Sequence, residues 1–178
     1  MMKKTLFCLL VFLVSLSLFA RGGKETVTVE EKINVITMAI PVDPDGLDPM
    51  LTASASTFQI TSNIYETLIT VDEKGNLEPC LADSWSISED GLSISFNLRE
   101  NAAFSNGKKC GSEEVKESFI RLMSPESLRY KDYSFISEIE PPDEKTTVFK
   151  MNEINVAALS SFAYPWAAVV DTEESNLK

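Results

Sequence analysis

The sequence predicts a mixed α/β fold, α+β in character, with antiparallel hairpins and flanking helices. Three observations predict it. Residues 84–98 alternate apolar and polar side chains on either side of Glu89-Asp90-Gly91, as a hairpin with one dry face requires. Val115, Phe119, Leu122 and Met123 recur at helical spacing over 112–123. Between such segments stand short clusters of proline and glycine that break the chain into elements.

The elements follow in order. Lys3 and Lys4 precede TLFCLLVFLVSLSLFA, a basic start and a short apolar core closely followed by polar sequence. Residues 1–20 therefore read as a signal peptide, with cleavage after Ala20 or after Ser17. An uncleaved anchor or a buried helix is the alternative. Residues 21–32, RGGKETVTVEEK, form a charged tether. INVITMAI (33–40) is predicted as a buried first strand, broken by Pro41, Pro44, Gly46 and Pro49. Ile60, Ile64 and Leu68, with Phe58 and Tyr65, predict a core-facing helix between Ala53 and Leu68. LITVDEKGNLEP continues as a strand and a glycine turn.

In the hairpin, Trp85 and Ile87 face the core together with Leu92, Ile94, Phe96 and Leu98, and Asp90-Gly91 supplies positive φ angles for a tight turn. Ser112 is expected to cap the next helix, with Glu113 and Glu114 favourable in its first turn and Ser124-Pro125 ending it. After the Pro141–Glu144 turn, TTVFKM (146–151) reads as a strand. VAALSSFAY (156–164) reads as a short helix stopped by Pro165.

Composition narrows the function. Apolar residues make up 44% of the chain and charged residues 24%, as in an ordinary globular protein. The net charge of -11 argues against nucleic acid or an anionic membrane surface as partner. There is no histidine, which removes Ser-His-Asp and Cys-His chemistry and mixed Cys/His zinc sites. The chain is thus not expected to be an enzyme, nor to need a cofactor or metal. Cys8 lies in the leader; Cys80 and Cys110 read as small buried residues or as a disulfide, which spacing alone does not decide.

Several segments in order carry a resemblance. GLDP (46–49), NIYETLITVDEKGNLEPCLADSW (63–85), SEDGLSISFNLRENAAFSNGK (88–108) and EEVKESFIRL (113–122) resemble the family 5 extracellular solute-binding proteins, the oligopeptide-, dipeptide- and nickel-binding receptors of ABC importers. DEKTTVFKM and NVAALSSFAYPWAAVV fit more loosely. The resemblance implies the N-terminal part of a two-lobed, periplasmic-binding-protein-like fold. Residues 33–178 are expected to form a partial first lobe, truncated, with the second lobe absent. SLFARGGKE resembles a lipobox in which Arg21 stands at the position of the lipidated cysteine, so an exported, unanchored product is expected. Cys110-Gly111-Ser112 and Asn155 also depart from the family pattern.

In such receptors a solute lies between two lobes that close by a hinge, and the closed form is read by a permease. The resemblance implies peptide as ligand, an inner-membrane ABC permease as partner, and a monomer acting outside the membrane. Counted from the Leu-Asp-Pro proline, backbone contacts to ligand fall at Ala53, Ser54 and Ala55, and Tyr130, with Tyr133 as neighbouring alternative, lines the pocket. Asp48 is expected to brace its loop. Alternatives are a nickel or other-solute receptor and an exported interaction or adhesion protein without transport activity.

Overall fold

The computed structural model describes residues 35–173. The signal peptide, the tether, Cys8 and Arg21 lie outside the described residues. The chain divides into two units, one ending at Met38 and one beginning at Ala39. Residues 35–38 have no regular structure, and Val35, Ile36 and Met38 are exposed. The strand expected over 33–40 is therefore corrected: none of its described residues joins a sheet. A β-branched run becomes a strand only where a neighbour accepts its backbone hydrogen bonds.

The second unit begins its regular structure with helix α1 (Ala55–Thr61). Ser54 is its N-cap, in extended conformation, its hydroxyl accepting from the Thr57 N–H at 3.5 Å. The helix is shorter than its apolar spacing predicts. Ser62 Oγ donates to the Phe58 carbonyl and Asn63 Nδ2 to the Gln59 carbonyl, each at 2.7 Å, so side chains take up the last carbonyls. The buried face is Ser56, Thr57 and Thr61, while Ile64 lies past the helix and is exposed.

Strands β1 (Ile69–Val71) and β2 (Leu77–Pro79) pair antiparallel across a turn. The Asp72 carboxylate holds that turn by accepting from the Lys74 and Asn76 N–H groups, and Gly75 supplies its positive φ of 86°. The main sheet has four antiparallel strands in the order β3-β4-β6-β5. They are β3 (Ala82–Ile87), β4 (Ser93–Leu98), β5 (Ile136–Glu140) and β6 (Thr146–Met151). Each outer strand breaks register once, β3 between Ala82 and Ser84 and β5 between Ile136 and Glu138.

Ile94, Phe96 and Leu98 of β4 and Thr147, Phe149 and Met151 of β6 turn one face inward. The expectation for β3 is only half met. Trp85 packs against the core while partly exposed, and Ile87 is 53% exposed, because β3 is an edge strand with no neighbouring strand on its outer side among the described residues. Of the two hairpin residues expected at positive φ, Gly91 alone has it (70°). Asp90 instead accepts from Ser88 Oγ and the Leu92 N–H.

Helix α2 (Ser112–Leu122) lies on the inner face of the sheet through Val115, Phe119 and Leu122. Gly111, and not Ser112, is its N-cap. The Gly111 N–H donates to the Glu114 carboxylate at 3.0 Å, and Ser112 Oγ donates to the Asp143 carbonyl. A Cβ at Gly111 would lie 3.0 Å from the Glu144 carbonyl oxygen, so any side chain there would press on the β5–β6 turn. Helix α3 (Ala158–Ser161) is one turn long, and Pro165 opens a 3-10 turn (Pro165–Ala167) instead of merely ending the helix.

The centre is aromatic. Phe149 lies 4.8 Å from Phe119 and 4.7 Å from Phe162, and Phe96 lies 4.9 Å from Phe162, between ring centroids. Ser118 joins α2 to the C-terminal segment, donating to the Ala168 carbonyl and accepting from the Val170 N–H.

Candidate functional site

The segment between Pro44 and α1 is short of apolar side chains, so polar groups must fix it. Asp45 does most of this. Its carboxylate accepts from Thr52 Oγ1 at 2.7 Å and Thr57 Oγ1 at 2.6 Å. The Asp45 N–H donates back to Thr57 Oγ1 at 3.2 Å, and the Ser54 N–H donates to Thr52 Oγ1 at 2.9 Å. Those hydroxyls, Thr57 first, hold the Asp45 carboxyl below its ordinary range.

A second brace lies at the other end. Asp48 is buried and takes a two-pronged ion pair from Arg121 of α2, one bond being 3.1 Å. The same carboxylate accepts from the Met50 N–H at 3.0 Å. Met50 is itself buried, and its carbonyl accepts from the Leu128 N–H at 3.0 Å. Asp48 thus braces its loop by pairing with a cation far away in sequence.

Between these braces Ala53 and Ala55 are exposed and Ser54 is half-buried. The Ser54 carbonyl and N–H are engaged within the segment, whereas the Ala53 N–H and carbonyl bond to nothing among the described residues. A rigid loop here presents open peptide groups beside small side chains. That arrangement suits recognition of another backbone.

The two tyrosines part company. Tyr130 stands at the start of a 3-10 turn (Tyr130–Tyr133), 38% exposed, with the Lys131 ammonium 5.5 Å from its ring centre. Tyr133 belongs instead to the core. It is fully buried, 6.0 Å from Phe119, and its hydroxyl donates to the Ser161 carbonyl at 2.7 Å, with burial raising its pKa. The two ends of one 3-10 turn thus differ in burial, Tyr130 half-exposed and Tyr133 enclosed.

Sequence reasoning missed three neighbours. Trp166 packs on Phe58 of α1 at 5.6 Å, Tyr164 stacks on Trp166 at 4.5 Å, and the Arg129 guanidinium lies 4.3 Å from the Trp166 ring centre. A lone arginine beside YKDY and the Tyr-Pro-Trp run are the only local hints, and nothing in their spacing joins them.

A separate cleft lies elsewhere. It measures about 660 Å³ and is lined by residues that include Tyr65, Glu66, Arg99, Phe104 and Cys110. None of the expected ligand residues lines it. Its strongest charges are mutually neutralised, Arg99 donating to both Glu66 oxygens at 3.0 and 2.6 Å. Cys80 and Cys110 are free thiols, and burial pushes Cys110 up to about 12, so it stays protonated at neutral pH. Among the described residues no group of three His, Cys, Asp or Glu side chains could hold a metal ion, and no helix is long and apolar enough to cross a membrane.

Comparison with known proteins follows the same lines. The profile of bacterial extracellular solute-binding proteins, family 5 Middle, matches residues 76–178. The oligopeptide-binding protein AliA of Streptococcus pneumoniae is 29% identical over 178 residues, covering 86% of this chain and 26% of its own length. AgaA of A. tumefaciens R10, solved with agropinic acid, has a TM-score of 0.69 at 30% identity, covering 72% of this chain and 26% of that one. A nickel ABC transporter protein of Bacillus halodurans has a TM-score of 0.68 at 32% identity, with coverages of 77% and 28%. The chain thus spans about a quarter of the length of these relatives. Proteins of this kind are transport receptors and not enzymes. With the profile matching more than half of it, this chain belongs to the bacterial extracellular solute-binding proteins of family 5.

Proposed function

We propose that the chain contributes to the solute-capturing component of a peptide ABC importer, taking up oligopeptides outside the inner membrane for delivery to a permease. The observation that carries this reading is the Ala53–Ala55 segment, held rigid by Asp45 and Asp48 while the Ala53 peptide groups stay open. Peptide backbones are captured by such groups as by a strand edge, and small side chains permit the approach. Tyr130, half-exposed, supplies an aromatic wall in this reading. The oligopeptide-binding name of the pneumococcal relative supports the same class of solute. Export by residues 1–20, an unanchored product lacking a cysteine at position 21, and a monomeric receptor complete the reading.

A two-lobed receptor grips its ligand from both sides, and a solute favours closure only through contacts to both lobes. Residues 33–178 supply one side of such a grip. Calorimetry of the 178-residue chain with a mixed tri- to pentapeptide library is therefore expected to show weak binding or none. Micromolar affinity would sink this description of a partial first lobe. Metabolic labelling with a radioactive fatty acid is expected to leave the mature chain unlabelled, and incorporation would restore a lipid anchor.

A receptor for nickel or another solute is the second reading, favoured by the likeness to the Bacillus halodurans protein. Titration with a nickel salt, alone and with histidine as chelator, separates the two. Saturable nickel binding without any response to peptide would replace the peptide reading.

A further inference from the structure

Three arginines lie among the described residues, and they are held in two different ways. Arg99 spends its fork on Glu66, and Arg121 spends its fork on Asp48. Arg129 has no such partner. Its nearest acid, Asp132, lies 3.7 Å from Nη1, beyond hydrogen-bond reach. What holds it is the face of Trp166, 4.3 Å away, and its side chain is still 27% exposed.

The stacked pair carries an unsatisfied buried donor. Arg129 Nε finds no hydrogen-bond partner among the described residues, whereas the Trp166 indole N–H is turned toward the Tyr133 hydroxyl. Buried donors without acceptors are rare in folded proteins and concentrate where a site awaits one. The surroundings are aromatic: Tyr164 is stacked on Trp166 and 47% exposed, and Tyr130 follows Arg129 directly and is 38% exposed.

A guanidinium held 4.3 Å from the centre of an indole ring is positioned by that contact and keeps its N–H fork for another partner. That fork matches a carboxylate. The rest of the chain works against such a ligand, with 27 acidic residues against 16 basic ones. An anionic group settles best beside a cation whose fork no internal acid has engaged, and Arg129 meets Asp132 only as a loose ion pair at 3.7 Å.

We infer that Arg129, held on Trp166, is a subsite for a carboxylate group of the solute, with Tyr164 and Tyr130 flanking the group next to it. In its peptide form the inference rests on the function proposed above. The carboxylate is then a peptide's C-terminus or an acidic side chain, carried by a ligand lying along Ala53–Ala55. Phe58, in the first turn of the helix that Ser54 caps, reaches Trp166 and ties the two places together.

Heteronuclear NMR of the 178-residue chain tests this without presuming peptide binding. Acetate, against chloride at equal ionic strength, is expected to shift the Trp166 indole N–H and Arg129 Nε–H saturably. The response is expected to disappear in Arg129→Gln and to persist, weakened, in Arg129→Lys, which keeps the charge and loses the fork. Unmoved resonances, or an equal response in Arg129→Gln, would overturn the subsite.

Three peptides then separate the sources: Ala-Ala-Ala, its C-terminal amide, and the amide of Ala-Glu-Ala. A preference of roughly tenfold for Ala-Ala-Ala over its amide assigns the C-terminus, as one charged hydrogen-bonded contact would give. The same preference for the Glu amide assigns an acidic side chain. Equal binding of all three would overturn the carboxylate assignment and leave the peptide reading standing. An acetate response with no response to any peptide would support the anion subsite and agree with the weak or absent peptide binding expected of one side of a two-lobed grip.

Discussion

Two regions of this molecule are held by opposite means. Around Phe149 the four-stranded sheet and α2 meet through aromatic rings at 4.7 to 5.8 Å, and hardly a polar group intervenes. Around Asp45 and Asp48 the chain before α1 is held by hydroxyls, carboxylates and one arginine, and its buried residues include Thr52, Ser56 and Thr57. The first region gains stability in proportion to apolar area removed from water. The second gains position, because each hydrogen bond fixes a direction. The segment at Ala53, whose peptide groups stay open, is thus pinned from beneath by polar side chains.

The strongest test breaks the aromatic region. Phe149→Ala is expected to cost about 3–5 kcal/mol, read as a lower urea midpoint, because a fully buried ring leaves a cavity between two elements. Both regions should then melt together. Next is Arg121→Gln, which leaves the buried Asp48 carboxylate unpaired. We expect about 2–3 kcal/mol, less than for a wholly buried pair because Arg121 is 27% exposed. Hydrogen exchange should quicken first at Met50 and Leu51, whose N–H groups bond to Asp48, while β4 and β6 stay protected. Equal loss of protection in the sheet would erase the distinction between the regions.

Thr57→Val is smaller, about 1 kcal/mol for a buried hydroxyl that both donates and accepts. It also sharpens the comparison through pH. The folded Asp45 carboxyl titrates below its ordinary 3.8, so its contribution is complete above that pH and is lost as pH falls through the lower folded value. Wild type and variant should therefore differ fully at neutral pH and converge in acid. Glu66→Gln is expected to cost least, about 0.5 kcal/mol, because its pair with Arg99 is exposed on both sides. Added salt should shrink that difference further.

The sheet was legible because alternation reports one buried face directly. Ile94, Phe96 and Leu98 are where period two puts them, and Val115, Phe119 and Leu122 where helical spacing does. Burial on an edge strand is decided by neighbours that local pattern does not contain, hence Ile87. In α1 the apolar spacing of Ile60, Ile64 and Leu68 suggested one face and one length. The polar Ser56, Thr57 and Thr61 are the ones buried, because Asp45 and its hydroxyl partners form that interface. The candidate site was legible only through resemblance for Ala53–Ala55 and Tyr130. Arg129 and Trp166 meet through folding alone, and no spacing rule connects residues so far apart.

The two outer strands have a further consequence. An open sheet edge is a template on which another chain can add a strand and continue the ladder. Here β3 and β5 each break register once, and β5 carries Glu138 and Glu140 toward Lys150 of its neighbour. An incoming strand finds no uninterrupted row of donors and acceptors at either end. Both edges of the described sheet are thereby poorer templates for a further strand, the feature that discourages fibrils and swapped dimers.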